Sequence, residues 1–487
     1  MNRRDFLQVL GGLAIAAGTA TGGEAGSARP SLSNLRNAPL DKKARLFQEI
    51  YQDVAFHPSG IMYSMLHLEG DQIRPFIKAD FVGAVGLDAT VGKFQLDSPA
   101  DYLHGENSMT ASALYLAAQS LRYRVTGDSE AMLQAQKAFR SLDLIYKMGE
   151  QAGKPGWMGK PYGFKPSNQT SGDQYLDSCW GLWNYYQIAP TDHKQRIEQM
   201  FIGFADYWRG VDYVISYFGS HWDLKGETDS YNAIFVMINA LAFHFSHSDV
   251  YMREIEKLMQ RQTWTRTTRI KSMRETALRQ VRETGKAEVI PYSAAFSLAK
   301  DVLKPSEILC WETTIHSKFV AVAAEIISQT CPDVLKSKLS DVLPMWWEEW
   351  EYGMGADCMP YYWFAVDLVN DTWRPLPRTA FPASKDKWLF GDPFSSYLSQ
   401  IRWMDPMARF MVTSIITSRH APQSAVRAQA LAQRMMASLD TDRLHWMLDT
   451  DGKQLVPEIA YYGKCLSSEL PGSYLATYWG GKLEGYW

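Results

Sequence analysis

Apolar residues recur at helical spacing along most of this 487-residue chain, and the resulting stripes follow one another in pairs. The clearest stripe repeats at i, i+3, i+4, i+7, i+8 and i+11 and comprises Ile197, Met200, Phe201, Phe204, Ala205 and Trp208. No segment shows the sustained alternation of a strand. Short connections at Gly127 and at Ala189-Pro190 make the paired helices antiparallel neighbours. The pattern predicts an all-α protein.

Consecutive helix pairs pack either as an open solenoid or as a closed ring. A solenoid would show a fixed period of roughly 30 to 45 residues, whereas these pairs differ in length and in every loop. We therefore predict one (α/α)6 toroid, with long loops at its mouth, over residues 31–487. In such a ring the inner helices start at one mouth, so polar side chains at those starts should meet there.

The N-terminus has the layout of an export signal. Arg3 and Arg4 stand directly before an uncharged apolar stretch that runs from Phe6 to Ala20. The order Arg-Arg-x-Phe-Leu resembles bacterial twin-arginine signals, which export folded proteins. We predict that residues 1–30 are this leader and that the protein is periplasmic or secreted.

The bulk composition excludes several classes of function. A net charge of -3 argues against nucleic acid as a partner, because phosphate backbones require a basic surface. No segment after the leader reaches the ~20 apolar residues of a membrane helix. The five cysteines are scattered and have no zinc-ligand spacing. We expect neither a metal nor another cofactor.

Acidic residues stand where the inner helices are predicted to start. Asp229 and Asp405 are best explained as helix caps, since acidic residues are favoured at helix N-termini. Glu106 and Asp173 are our candidate catalytic carboxylates, and Asp177 follows Asp173 by one turn on the same face. Two carboxylates in an aromatic-lined cleft are the equipment for cleaving a glycosidic bond.

The predicted mouth loops are rich in aromatic residues, whose faces stack on sugar rings. Residues 153–169 lead directly into Asp173, residues 218–225 precede Asp229, and residues 351–402 form a long insertion. The candidate substrate-binding residues of these loops and helix starts are His104, Asn107, Trp157, Asn168, Gln174, His221, Trp222, Tyr231, Asn232, Trp311, Glu312, His316 and Trp403.

Three segments carry a resemblance to a known family: Gly105-Glu106-Asn107, residues 121–128 (LRYRVTGD) and residues 173–180 (DQYLDSCW). Together they resemble the six-hairpin glycosidases, in particular the unsaturated glucuronyl and rhamnogalacturonyl hydrolases and related uronic-acid-releasing enzymes. The resemblance implies that Asp173 is the general acid/base, that Glu106 is the second carboxylate, and that the substrate is an anionic oligosaccharide. The unsaturated glucuronyl hydrolases usually have His-Asp where this chain has Gly-Glu. A saturated uronide is therefore an alternative substrate.

Two other functions fit the same residues. A polysaccharide lyase on an α/α toroid removes a proton from the sugar with a Tyr or His base, for which Tyr231, His221 and His316 are candidates. A non-catalytic sugar-binding toroid would use Asp173 and Glu106 only as helix caps.

Overall fold

A computed structural model describes most of the chain after the predicted leader. The described residues are 32, 35–82, 88–217, 220–225, 231–260, 269–285, 303–311, 317–331, 333–361, 363–376, 401–449, 461 and 463–487. The predicted leader, Asp229, Glu312 and His316 lie outside these ranges. Leu32–Trp487 forms one compact unit.

Helices dominate the described part of the chain. In chain order they are α1 Leu40–Asp53, α2 Asp88–Phe94, α3 Pro99–Gly105, α4 Ser108–Thr126, α5 Ser129–Gln151, α6 Gly172–Tyr186, α7 Thr191–Gly210, α8 Tyr231–Ser246, α9 Asp249–Leu258, α10 Arg269–Thr284, α11 Ser317–Thr330, α12 Asp333–Tyr352, α13 Met404–His420, α14 Ala425–Ser438 and α15 Glu469–Leu483.

The strands are short and pair antiparallel in four small sheets. In chain order they are β1 Met65–Glu69, β2 Gln72–Pro75, β3 Val214–Tyr217, β4 Ser220–Asp223, β5 Glu307–Trp311, β6 Trp363–Asp367, β7 Trp373–Pro375, β8 Ile401–Trp403, β9 Met447–Asp449 and β10 Cys465–Ser467. Their orders are β10-β1-β2, β3-β4, β5-β6-β7 and β8-β9. Several of these strands stand immediately before an inner helix, so the sheets lie in the connections that lead into the ring.

Six helices form a closed inner ring. The order around the ring is α4, α6, α8, α11, α13 and α15, and α15 packs back against α4. The outer layer consists of α5, α7, α9, α12 and α14, each of which packs on its inner partner, and of α1, which packs on α15. The first described helix thus completes the sixth pair with the last one. The predicted (α/α)6 toroid is confirmed.

Burial explains which helices are inside. Helix α4 is buried without interruption from Ser108 to Leu121, as expected for a helix that is apolar or small on every face. Helices α5 and α7 bury one stripe each, and the stripe of α7 is the one predicted from Ile197 to Trp208. Gly127 ends α4 in a left-handed conformation with φ 67°, and the Asp128 side chain then caps α5.

Helices α4 and α6 of the ring approach each other closely at Gly181. A Cβ atom on Gly181 would lie 2.4 Å from the carbonyl oxygen of Ala113. We expect Gly181→Ala to lower the free energy of unfolding, measured in urea, by about 1–3 kcal/mol because the backbones must move apart. Gly210→Ala at the end of α7 is the control, since its Cβ would meet nothing within 4 Å. Equal stabilities of the two variants would contradict this packing.

Candidate active site at the mouth of the ring

Glu106 and Asp173 lie at the same end of the ring. Asp173 is in the first turn of α6, and Glu106 directly follows α3. The Gln174 side chain connects the two segments, because its Nε2 donates to the Glu106 carbonyl oxygen at 2.8 Å. The starts of α11, α13 and α15 lie at this end too, as the contacts described below show. The predicted convergence of inner-helix starts is therefore confirmed for these helices, and we call this end the mouth.

The loop 153–169 folds over Glu106 and holds its carboxylate. Lys160 forms an ion pair with Oε1, and the Tyr162 hydroxyl donates to Oε2. Gly105 permits this approach, because a Cβ there would lie 2.5 Å from the Pro161 carbonyl oxygen. Since both carboxylate oxygens are engaged, Glu106 is held in one orientation at the mouth.

Asp173 is the partly accessible carboxylate beside this loop. Its side chain is 16% exposed, and its Oδ2 lies 3.6 Å from Nη2 of Arg409, which is 11% exposed. Burial by itself raises the pKa of Asp173, but the charges of Arg409 and Lys160 and a hydrogen bond from Ser171 outweigh burial and lower it. Lys160 neutralises Glu106 and also favours the anion at Asp173.

A buried ionic network lies behind Asp173. Lys318 of α11 contacts Asp177 Oδ1 and Glu469 Oε1, each at 2.9 Å. Arg409 of α13 contacts the same Glu469 oxygen at 3.0 Å and connects the network to Asp173. Thr110 of α4 donates to Asp177 at 2.9 Å. Five inner helices thus share one network at their starts.

The network contains more carboxylates than cations. The pKa values of two of its buried carboxyls are raised. Burial, followed by the charge of Glu469, raises the pKa of Asp405 to about 6. Burial also raises the pKa of Asp177 to about 6, although Lys318 opposes the shift. Trp446 donates to Asp405 Oδ2 at 2.7 Å. Asp405 lies in the first turn of α13, where an acidic residue was expected, and it is also buried.

The raised pKa of Asp405 predicts a pH-dependent stability. The folded protein binds this proton below about pH 6, whereas the unfolded chain binds it only below about pH 4. The stabilisation is complete at low pH and is lost as the pH rises from about 4 to 6. Asp405→Asn lacks this titrating group. The free energy of unfolding of the variant, relative to that of the wild type, should therefore rise by on the order of 2–3 kcal/mol as the pH increases across that range.

Urea unfolding at pH 4 to 7 measures this difference. The matched control is Asp192→Asn, because Asp192 lies in the first turn of the outer helix α7 with an 80% exposed side chain. A stability difference between Asp405→Asn and the wild type that does not change with pH would contradict the assignment. Besides burial, the groups that shift the pKa of Asp405 are Glu469, Arg409, Trp446 and Ser467.

Several predicted substrate-binding residues lie at the mouth. Gln174 and Asn107 contact each other, with Gln174 Nε2 3.3 Å from Asn107 Oδ1. Tyr231 and Asn232 open α8, and Asn232 is buried. The Tyr231 ring lies against Gly172, where a Cβ would come within 3.0 Å of it, and also contacts Phe319 of α11. Tyr231 is therefore a direct neighbour of the segment that carries Asp173.

The β3-β4 hairpin brings His221 and Trp222 to the same end of the ring, between the end of α7 and the start of α8. Trp222 pairs with Ile215 across the hairpin. His221 is exposed, and Trp222 is exposed over 53% of its surface. A large exposed indole beside the mouth suits stacking on a sugar ring.

Two predicted substrate-binding residues are packing residues instead. His104 is buried, its Nε2 lies 3.0 Å from the Phe76 carbonyl oxygen, and burial lowers its pKa to about 4. Trp157 is also buried and packs on Tyr207. Asn168 is exposed, and Trp311 and Trp403 lie in β5 and β8.

Sequence reasoning missed Lys318, Arg409 and Glu469. Each is a charged residue within the first two turns of an inner helix. Lys318 and Arg409 directly precede apolar core residues, Phe319 and Phe410. A cation within a mainly apolar helix is rarely buried without a partner, and this was the signal that could have identified them.

The described residues also bear on metal binding and on membrane spans. In the described ranges no group of three or more His, Cys, Asp or Glu side chains is placed to hold a metal ion. Within the same ranges no helix is both long and apolar enough to cross a bilayer. Cys179, Cys331, Cys358 and Cys465 are buried free thiols.

Comparisons with known proteins concern the fold. No family model matches the chain, and no curated protein matches it. A solved unsaturated glucuronyl hydrolase specific for heparin is 9% identical, with 92% of this chain and 96% of that chain covered at a TM-score of 0.48. A D-mannose isomerase is 11% identical over 92% and 97%, with a TM-score of 0.47.

A cellobiose 2-epimerase from Bacillus thermoamylovorans is 10% identical over 90% of this chain and 99% of that one, with a TM-score of 0.46. The (α/α)6 ring of this chain rests on the helix packing described above.

Proposed function

We propose that this protein is an enzyme that hydrolyses uronic-acid-containing oligosaccharides by acid–base chemistry at the mouth, with Asp173 as the proton-transferring residue. One observation carries the proposal: Asp173 is a partly exposed carboxylate that Arg409 and Lys160 hold as the anion. An ionised carboxylate has a lone pair with which to accept a proton from an attacking water.

The surroundings of Asp173 support a sugar substrate. Trp222 offers an exposed apolar face, and the half-buried Asn107 lies at the mouth, where the buried Gln174 holds its side-chain oxygen. Arg409 and Lys160 add positive charge next to Asp173, which favours a substrate with a carboxylate of its own. Both cations already have a carboxylate partner in the protein, so a uronate would bind to each of them as an additional partner.

Four carboxyl groups divide the work in this proposal. Asp173 takes a proton from the attacking water and passes it to the oxygen of the leaving sugar. Glu106, held by Lys160 and Tyr162, orients the sugar or that water. The buried Asp177 and Asp405, whose pKa values are raised to about 6, keep the network able to hold a proton near neutral pH.

A screen of saturated and unsaturated uronides with the purified chain tests the proposal. Hydrolysis releases a new reducing end without forming a double bond. We expect reducing ends to appear with at least one uronide, without an accompanying rise in ultraviolet absorbance. The appearance of a product that absorbs in the ultraviolet would contradict hydrolysis of a saturated uronide.

A lyase is the second candidate, and the position of Tyr231 favours it. The Tyr231 ring lies against Gly172, the residue before Asp173, so its hydroxyl belongs to the same region. A lyase would form an unsaturated, ultraviolet-absorbing product and would lose activity in Tyr231→Phe. Binding of a uronide without any turnover, unaffected by Asp173→Asn, would instead support the non-catalytic toroid.

We also propose that the chain is exported behind its first 30 residues. Arg3 and Arg4 form the pair on which a twin-arginine signal depends. Replacing both with Lys should leave the protein in the cytoplasm of a bacterial host, as measured by fractionation, while a single Lys42→Arg control should not change export. Periplasmic accumulation of the double variant would contradict the proposal.

A further inference from the structure

A second cavity lies at the end of the ring opposite the mouth. It encloses about 330 Å³ between the last turns of inner helices, lined by Trp183, Asn184, Gln187, Glu325, Gln329 and Arg419 among others. Residue 187 follows residue 173 by fourteen positions along α6, so the cavity lies about 20 Å from Asp173. It is therefore separate from the site described above. Its volume falls within the range of small-ligand pockets.

The lining consists mainly of planar polar groups around an indole. Trp183 Nε1 donates to Gln329 Oε1 at 2.8 Å, which leaves the amide nitrogen of Gln329 for another acceptor. Asn184 and Gln187 use their amide nitrogens on the carbonyl oxygens of Trp180 and Trp183, which leaves their amide oxygens for donors. The cavity thus offers both donors and acceptors beside one aromatic side chain.

The charges of the lining balance one another. Arg419 forms an ion pair with Glu325, and its Nε lies 3.2 Å from Glu484 Oε1. Arg124 is the second cation of the lining, so two cations face two carboxylates. A neutral ligand with many hydroxyl groups fits this surface better than an anion or a cation.

Glu325 carries a negative charge in this lining. Burial raises the pKa of Glu325, but Arg419 and His420 oppose burial and lower it to about 2. The ion pair with Arg419 balances this charge within the cavity.

We infer that the cavity at the C-terminal ends of α6, α11, α13 and α15 binds a neutral saccharide unit, independently of the reaction proposed for Asp173. Paired amide groups recognise adjacent sugar hydroxyls. Such a site would hold a neutral part of a longer carbohydrate, or a free neutral sugar, while the mouth acts on a uronic acid.

Binding of glucose, galactose, mannose and cellobiose to the full chain tests this inference by saturation-transfer NMR and calorimetry. We expect at least one probe to bind, and to bind equally well to Asp173→Asn. Gln187→Leu and Gln329→Leu should each weaken binding by about tenfold or more, because each removes amide groups that face the ligand. Both glutamines are exposed, so these variants should fold.

Gln151→Leu is the matched control, since Gln151 is an exposed glutamine at the end of the outer helix α5 and far from the cavity lining. Its binding should equal that of the wild type. Absence of binding for all four probes at tens of millimolar would overturn the inference. Binding that is lost in Asp173→Asn but kept in both cavity variants, or kept in all variants, would overturn it as well.

Discussion

Asp173→Asn should lower turnover of a uronide by about 10²-fold or more while the protein remains folded. Asparagine keeps the shape of the side chain and one hydrogen-bonding oxygen but cannot accept a proton. Arg409 keeps its stronger partner, because its contact with Glu469 at 3.0 Å is shorter than that with Asp173 at 3.6 Å. Steady-state kinetics on the uronide identified in the screen, together with circular dichroism, measure both parts of this expectation.

The matched control for this variant is again Asp192→Asn. Asp192 and Asp173 both lie in the first turn of a helix, so the two substitutions remove the same favourable interaction with a helix N-terminus. Asp192 is on the outer layer, and its variant should keep wild-type turnover. If Asp173→Asn cleaves the uronide within a few-fold of the wild type, Tyr231 becomes the residue to test.

Lys318→Met should reduce the free energy of unfolding by about 3–5 kcal/mol, because it leaves two buried carboxylates without their shared cation. Asp177 and Glu469 each lie 2.9 Å from Lys318 Nζ, and all three side chains are buried. Arg409 continues to neutralise Glu469, so the loss falls mainly on Asp177. Urea unfolding at pH 7 measures the effect.

Two further variants isolate the charge from the packing. Adding Asp177→Asn to Lys318→Met removes one uncompensated charge and should restore part of the lost stability. Lys336→Met is the control, since Lys336 forms an exposed ion pair with Asp333 and such pairs contribute at most about 1 kcal/mol. A loss below 1 kcal/mol in Lys318→Met would show that this network is not the electrostatic unit described.

The loss in Lys318→Met should also shrink in acid. The pKa of Asp177 is already raised to about 6 by burial, and losing Lys318 raises it further. The folded variant therefore takes up a proton at Asp177 at a higher pH than the wild type does, which removes the unpaired charge. A loss that does not change with pH would contradict the role of Asp177.

The ring and its mouth could be predicted because both depend on local patterns. The stripe from Ile197 to Trp208 identifies an outer helix, and the first-turn position of Asp173 places that carboxylate at the start of an inner one. Local patterns do not specify which helices close the ring. The pairing of α1 with α15 joins segments at opposite ends of the sequence, and nothing local specifies it.

The ion pairs of the site were unpredictable for the same reason. Lys318 meets Glu469 across 151 positions of sequence, and Arg409 meets Glu469 across 60. His104 and Trp157 show the converse error, since residue type suggested contact with substrate while tertiary packing buries both. The direction of the pKa shift at Asp173 likewise depends on Arg409 and Lys160, which only the fold brings near.

A crystal structure of the Asp173→Asn variant with the uronide that the wild type cleaves tests the central claim most directly. The account predicts that the sugar lies at the mouth, with the bond to be cleaved near residue 173 and the uronate within reach of Arg409 or Lys160. A uronide bound with no contact to residue 173, at the opposite cavity or elsewhere, would contradict the assignment of the mouth as the active site.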